Sequence, residues 1–224
     1  MGAKSSTHGK AAESSKITKR MVEAMAERAK RGQSTIKTFN SIILKFPKID
    51  EAFEAVKTVF KKFDVDRSGT IDLGELRTCF EELQVNFTEE EVREYYEESD
   101  LDGSQGIDFK EFIVLLALVY LLGEPIEGSS HKAQHSKIGL PQLEATFDTI
   151  VQAFVFFDAN GDGYISKEEI IQSINQIYPS QIYPSRSADR LGLERFEEMD
   201  WDHNGLVTFK EFLFAFTDWV GLEE

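Results

Sequence analysis

The chain has 224 residues, with 25 Lys and Arg against 40 Asp and Glu, a formal net charge of −15. Such acidity argues against nucleic-acid binding, which needs a positive field to meet phosphate. The single cysteine, Cys79, rules out an internal disulfide framework and a cysteine-based zinc site, and the longest apolar run, Phe112 to Leu122, is eleven residues, too short for a membrane-spanning helix.

Residues 1–48 hold eleven Lys/Arg and three Glu, a net of +8, whereas residues 49–224 carry −23. A basic arm therefore precedes an acidic body, and the two are expected to meet different partners. The polar start has no apolar h-region, so no signal peptide is expected, and a reducing, cytoplasmic setting follows. Residues 1–14 are rich in Ser, Gly and Lys and are read as disordered. Met1 to Ser6 matches the N-myristoylation pattern at Gly2. One acyl chain holds a membrane only marginally, so a second signal is required. The segment 15–31 supplies one candidate. Ile17, Met21 and Met25 step by four, Ser15 suits the N-cap, and Arg28, Lys30 and Arg31 suit the last turn. Such a basic helix fits an anionic membrane surface, a groove on the protein's own body, a weak nuclear-import patch (Lys19-Arg20, Lys30-Arg31) or plain solvent. An apolar stretch, Phe39 to Phe46, stops at Pro47.

The body, 49–224, reads as helices interrupted by four Asp/Gly loops. Phe53, Val56, Phe60 and Phe63 step by three and four before the first. Thr88 and Glu91 form a capping box ahead of the second. Phe147, Val151, Phe154 and Phe157 precede the third; Phe196 and Met199 precede the fourth. Residues 123–139 read as a linker between a first unit, 49–122, and a second, 140–221.

Each loop is twelve residues long and opens on Asp: Asp64 to Glu75, Asp100 to Glu111, Asp158 to Glu169, Asp200 to Glu211. Counting the opening Asp as position 1, oxygen-bearing side chains recur at positions 1, 3, 5 and 9, with Glu at 12. These are Asp64, Asp66, Ser68, Asp72 and Glu75; Asp100, Asp102, Ser104, Asp108 and Glu111; Asp158, Asn160, Asp162, Ser166 and Glu169; Asp200, Asp202, Asn204, Thr208 and Glu211. Position 7, which offers its carbonyl, is Thr70, Gly106, Tyr164 or Leu206. Calcium is a hard cation that takes about six to eight oxygens, and a tightly wound loop turns alternate residues inward to supply them. Glu at position 12 is long enough to reach back with both oxygens. Position 6 must turn with φ > 0, which suits Gly. The second loop departs by placing Gln105 there, and is expected to bind more weakly than the first.

Position 8 is Ile71, Ile107, Ile165 or Val207, β-branched residues suited to a short antiparallel bridge between loops. Asp64 to Asp100 is 36 residues and Asp158 to Asp200 is 42, but Asp100 to Asp158 is 58. The spacing predicts that loop 1 pairs with loop 2 and loop 3 with loop 4. Gln176 to Ser180 is repeated at once as Gln181 to Ser185, a local duplication lengthening the connection inside the second pair.

The four loops resemble EF-hand loops. The chain from about Ser34 is similar to the plant calmodulin-like EF-hand proteins with four hands and a basic N-terminal extension, on Phe39 to Asp50 (FNSIILKFPKID), Glu111 to Leu122 (EFIVLLALVYLL), Arg195 to Asp200 (RFEEMD) and Phe209 to Gly221 (FKEFLFAFTDWVG). The resemblance implies an all-α fold of two EF-hand pairs with β-bridges, binding up to four Ca2+ as a calcium sensor. A sensor of this kind opens an apolar groove for a target protein; Ile113, Leu116, Leu118 and Tyr120, with Phe212, Phe216 and Trp219, are the expected lining. A passive buffer and a constitutive, calcineurin-B-like enzyme subunit are the alternatives. No nucleophile–base pair or phosphate loop suggests an enzyme.

Overall fold

The computed structural model describes residues 15–31, 46–123, 138–177 and 185–220. The Gly2 motif, most of the Phe39 to Asp50 segment, most of the linker and most of the duplicated pentapeptide lie outside the described residues. Among those described, nine helices occur in order: α1 (Lys16–Lys30), α2 (Phe46–Phe63), α3 (Leu73–Glu82), α4 (Glu89–Ser99), α5 (Phe109–Leu122), α6 (Pro141–Phe157), α7 (Lys167–Ile177), α8 (Ser185–Met199) and α9 (Phe209–Val220). The strands β1 (Ile165–Ser166) and β2 (Leu206–Val207) join loops 3 and 4. No described helix is long and apolar enough to cross a membrane.

The loops pair as their spacing requires. Ile71 and Ile107 form an antiparallel bridge, with amide-to-carbonyl distances of 2.8 and 3.0 Å. Ile165 pairs antiparallel with Val207. All four side chains are buried, so each bridge is also a core contact. At the close of the first pair, an added Cβ on Gly106 would lie 2.7 Å from Thr70 Oγ1, so loop 2 meets loop 1 too closely for any side chain there.

Both pairs repeat one aromatic arrangement. Phe60, four residues before Asp64, meets Phe109 and Phe112 edge-on at 5.6 and 5.5 Å. Phe154, four residues before Asp158, meets Phe209 and Phe212 edge-on at 5.7 and 5.6 Å. The entering helix of one hand is thus locked to the exiting helix of its partner. Edge-to-face rings suit the aromatic quadrupole and add about 0.5–1.5 kcal/mol per pair beyond area burial.

The pairs also pack on each other. α5 touches α9 and α6, and α2 touches α6; Lys110 Nζ reaches Asp218 at 2.6 Å between α5 and α9. α5 is apolar on every side, and every residue from Glu111 to Val119 is buried. In the arrangement seen, the expected lining of the groove is packed inside. Ile113, Leu116, Leu118, Phe212 and Phe216 are core residues, and only Tyr120 and Trp219 are half-buried. A helix that faces protein in all directions leaves none of its apolar side chains for a partner.

α1 is seated on the body. Ser15 caps it by accepting the Thr18 amide hydrogen at 2.9 Å, and Ile17, Met21 and Met25 are all buried. The four-residue step places these side chains on one stripe, which lies against α4, α5, α6 and α9.

Cys79 sits in the wall of the first pair, fully buried, and burial foremost, with the Glu82 charge adding to it, pushes its thiol up to about 12. Only the thiolate reacts. Native protein at pH 8 is expected to resist iodoacetamide and to be alkylated fully once unfolded in guanidinium, as read by mass spectrometry. Rapid native labelling would contradict the burial.

Candidate metal centres

Each loop is built the same way. The position-1 carboxylate accepts backbone amides from further along its own loop. Asp64 takes Ser68 N at 2.9 Å and Gly69 N at 3.2 Å. Asp100 takes Gln105 N at 3.1 Å. Asp158 takes Gly161 N at 2.8 Å, Asp162 N at 3.1 Å and Gly163 N at 2.9 Å. Asp200 takes Asn204 N and Gly205 N, both at 3.1 Å. These bonds wind the chain around the first carboxylate.

The winding needs two left-handed residues per loop. Position 4 has positive φ in all four, at Arg67 (59°), Gly103 (72°), Gly161 (71°) and His203 (53°); position 6 does too, at Gly69 (86°), Gln105 (67°), Gly163 (89°) and Gly205 (87°). Position 6 was legible from its glycines, but position 4 was not, because Arg67 and His203 carry no such signal. In the second loop the glycine stands at position 4 and the strained residue at 6. A left-handed residue with a Cβ costs about 1–2 kcal/mol, part of which a glycine returns through its freer unfolded chain. Gln105→Gly is expected to stabilise the fold by roughly 0.5–1 kcal/mol in urea titrations. Since the Gln105 amide already bonds Asp100 in this turn, the gain belongs to stability rather than to ion affinity. An unchanged midpoint would show that the loop bears no strain there.

Position 9 has a task that a ligand count overlooks. Asp72 and Asp108 are the N-caps of α3 and α5, accepting the Glu75 and Glu111 amides at 2.8 Å each. Ser166 and Thr208 accept those of Glu169 and Glu211 at 3.3 and 3.4 Å. Positions 9 and 12 therefore form a capping box, whose three-residue spacing was present in the sequence. The position-12 glutamate closes each loop by reaching back to its start. Glu75 Oε1 accepts Val65 N at 2.8 Å, Glu111 Oε1 accepts Leu101 N at 2.8 Å, and Glu169 Oε1 accepts Asn160 N at 3.0 Å.

Three loops gather acidic triads. Asp64, Asp66 and Glu75, then Asp100, Asp102 and Glu111, then Asp200, Asp202 and Glu211 each bring carboxylate oxygens within 4.8 Å of one another. The third loop forms no such triad among the described residues. Asn160 takes the place of an acid at position 3, and its Nδ2 donates to Asp162 at 2.9 Å. Ser68 and Ser104 turn their hydroxyls to the position-7 carbonyls of Thr70 and Gly106, both at 2.9 Å. Asn204 Oδ1 accepts the Leu206 amide at 2.8 Å, and Asp162 Oδ1 that of Tyr164 at 2.9 Å.

The donor set fits a hard cation. Every residue at positions 1, 3, 5, 9 and 12 carries a side-chain oxygen, and three of the loops gather three carboxylates at close range. Burial pushes the Glu111 carboxyl up to about 6, and burial also raises the Asp158 and Glu211 carboxyls. Asp100 Oδ1 is buried with no hydrogen-bond partner among the described residues. A buried carboxylate oxygen without a partner is costly. A divalent ion would satisfy it and hold the neighbouring acids ionised.

Comparisons with known proteins agree with the geometry. The family model for the EF-hand domain pair matches residues 53–116 and 147–217, more than half of the chain. The chain is 48% identical over 209 residues to the probable calcium-binding protein CML21 of Arabidopsis thaliana, covering 93% of this chain and 86% of that protein. It is 43% identical over 210 residues to the probable calcium-binding protein CML22 of the same plant, covering 93% and 88%. It is also 28% identical over 163 residues to Arabidopsis calcium-dependent protein kinase 19, 73% of this chain but 24% of the kinase. The paired, bridged, acid-lined loops and these matches place the chain in the EF-hand family, among the non-catalytic plant calmodulin-like calcium-binding proteins related to CML21 and CML22.

Proposed function

We propose that the protein is a calcium sensor whose loops, on taking up ions, rearrange the helices that follow them and offer apolar surface to a target protein. The observation that carries this reading is the double role of the position-12 glutamate. Glu75, Glu111 and Glu211 each belong to an acidic triad and each is also the N3 residue of the exiting helix. An ion bound through that carboxylate pulls directly on the first turn of α3, α5 or α9. The residues proposed to ligate are those at positions 1, 3, 5, 7, 9 and 12 of all four loops. The third loop, with Asp158, Asn160, Asp162, Tyr164, Ser166 and Glu169, relies on fewer charges.

For a target to be met, α5 and α9 must turn part of their packed faces outward. Ile113, Leu116, Leu118, Phe212 and Phe216 are the side chains such a movement would offer. The burial of α5 on all sides also favours a second reading, a buffer that binds ions and stays closed. Calorimetry with calcium gives the stoichiometry, and apolar-dye binding with tryptophan fluorescence reads the rearrangement. Both tryptophans, Trp201 and Trp219, lie in or beside the fourth hand, so their emission reports that hand. A sensor shows dye binding that rises with calcium. Stoichiometric uptake with unchanged dye and tryptophan signals would establish the buffer instead. The basic arm adds an anionic membrane surface as a proposed partner, with a cytoplasmic location, and mass spectrometry of the expressed N-terminus tests the Gly2 acyl group.

A further inference from the structure

α1 occupies an unusual position. It is a basic helix lying in a cleft whose walls come from both hand pairs, α4 and α5 on one side and α6 and α9 on the other. Its contacts are of two kinds. A row of three apolar side chains, Ile17, Met21 and Met25, is sunk into the cleft. Polar groups hold the rims. Thr18 Oγ1 donates to Glu98 Oε1 at 2.5 Å, Ser15 bonds the same carboxylate, and Lys16 reaches Glu94 at 3.4 Å. Farther along, Arg28 reaches Asp148 at 3.5 Å and stands over the Tyr120 ring at 5.8 Å from its centre. Arg20 donates to the Leu122 carbonyl at 3.3 Å. Positive charge on the helix thus meets negative charge on the cleft at both ends.

The helix also rests on the third calcium loop. A Cβ built on Gly163 would fall 2.4 Å from the Val22 carbonyl oxygen, and one on Gly161 would fall 3.4 Å from Ala29 Cβ. The loop backbone and the helix backbone are therefore in direct contact, which only glycine at position 6 permits. The remaining link to the body is the stretch 32–45, fourteen residues. Extended, such a length reaches ~45 Å, enough for α1 to leave the cleft and remain attached.

We propose that α1 is a displaceable plug: an intramolecular occupant of the cleft between the hand pairs, which a target protein must replace to bind there. This rests on the sensor reading above and adds to it the identity of what holds the surface closed. The replacing segment has to reproduce what α1 does. It presents large unbranched or branched apolar residues at i, i+4 and i+8, hydroxyl donors for Glu98, whose cationic partner is already Lys210, and positive groups near its two ends for Glu94 and Asp148. Because α1 belongs to the same chain, its return to the cleft is intramolecular, so a weaker segment fails to displace it and the plug sets a threshold for partners.

The test uses the full chain in calcium-saturated buffer. The double variant Met21→Asp, Met25→Asp places two charges on the buried stripe and unseats the helix. A synthetic peptide of residues 15–31 is then expected to bind the variant at least about tenfold more tightly than the wild type, whose cleft is filled. The variant is expected to bind more apolar dye, and the peptide to return that signal to the wild-type level. Equal peptide binding by the two proteins, or none by a variant with a cooperative melt, would overturn the plug. Hydrogen exchange on the wild type guards against a variant that does not fold. Amides of residues 16–30 are expected to exchange at least about tenfold faster than those of residues 115–119, as a separately opening unit does. Exchange at one common rate would make α1 a fixed part of the core and end the proposal. Calcium is constant throughout, so failure here with an intact calcium-driven dye response removes the plug alone. A missing calcium response with peptide binding intact removes the sensor alone.

Discussion

Glu75→Gln is expected to remove one calcium ion from the stoichiometry measured by calorimetry, with the affinity of the first loop falling at least about tenfold, ~1.4 kcal/mol. Both oxygens of Glu75 are in use: Oε1 accepts the Val65 amide at 2.8 Å and Oε2 the Asp72 amide at 3.0 Å. Glutamine brings an NH2 where one of these oxygens stood, so a donor faces a donor. It also deletes one of the three carboxylates of the triad with Asp64 and Asp66. The loss combines a missing charge, a missing ligand atom and a frustrated capping box, each costing about 1 kcal/mol or more. The second loop is expected to weaken as well, because Ile71 and Ile107 hold the two loops in one bridge. Glu81→Gln, on the exposed face of α3, is the control and leaves the titration unchanged. A Glu75 variant with full stoichiometry would remove loop 1 from the set of ion cages.

The second large effect lies in the core. Phe154→Ala is expected to lower unfolding free energy by about 3–5 kcal/mol, measured by the urea midpoint. Phe154 is fully buried and its ring meets both Phe209 and Phe212 edge-on. Truncation leaves a cavity between α6 and α9, and two aromatic pairs are lost with it. A total of this size is a large share of the stability of an ordinary domain. A change below about 1 kcal/mol would mean that the helices close over the gap.

Much of this architecture could be read from residue spacing. The loops from Asp64, Asp100, Asp158 and Asp200 have a fixed length because an ion cage fixes which oxygens face inward, and that constraint leaves a local pattern. The bridges at Ile71–Ile107 and Ile165–Val207 follow from the same register. The Ser15 cap and the Ile17, Met21, Met25 stripe were also local and legible. What the stripe packs against was not legible. Burial of α1 in the cleft depends on contacts such as Thr18 with Glu98, eighty residues apart, and no periodicity records such a meeting. The packing of α5 was not legible for a related reason. An apolar helix has the same composition whether its surplus faces meet a partner protein or another part of its own chain. The left-handed turns at Arg67 and His203 were hidden because neither residue type advertises that conformation. The hydrogen bonds from the loop amides to Asp64 and Asp200 hold them in it.

The enclosure of α5 by α1, α2, α6 and α9 has a mechanical meaning. A rod gripped on every side cannot be turned by one neighbour without shifting the rest. In the sensor proposed above, an ion at Glu111 would act on the root of that rod, and the contacts with α6 and α9 would pass the displacement to the opposite pair. Such a sensor would give one answer to events at separate loops, much as several keys act on a single bolt.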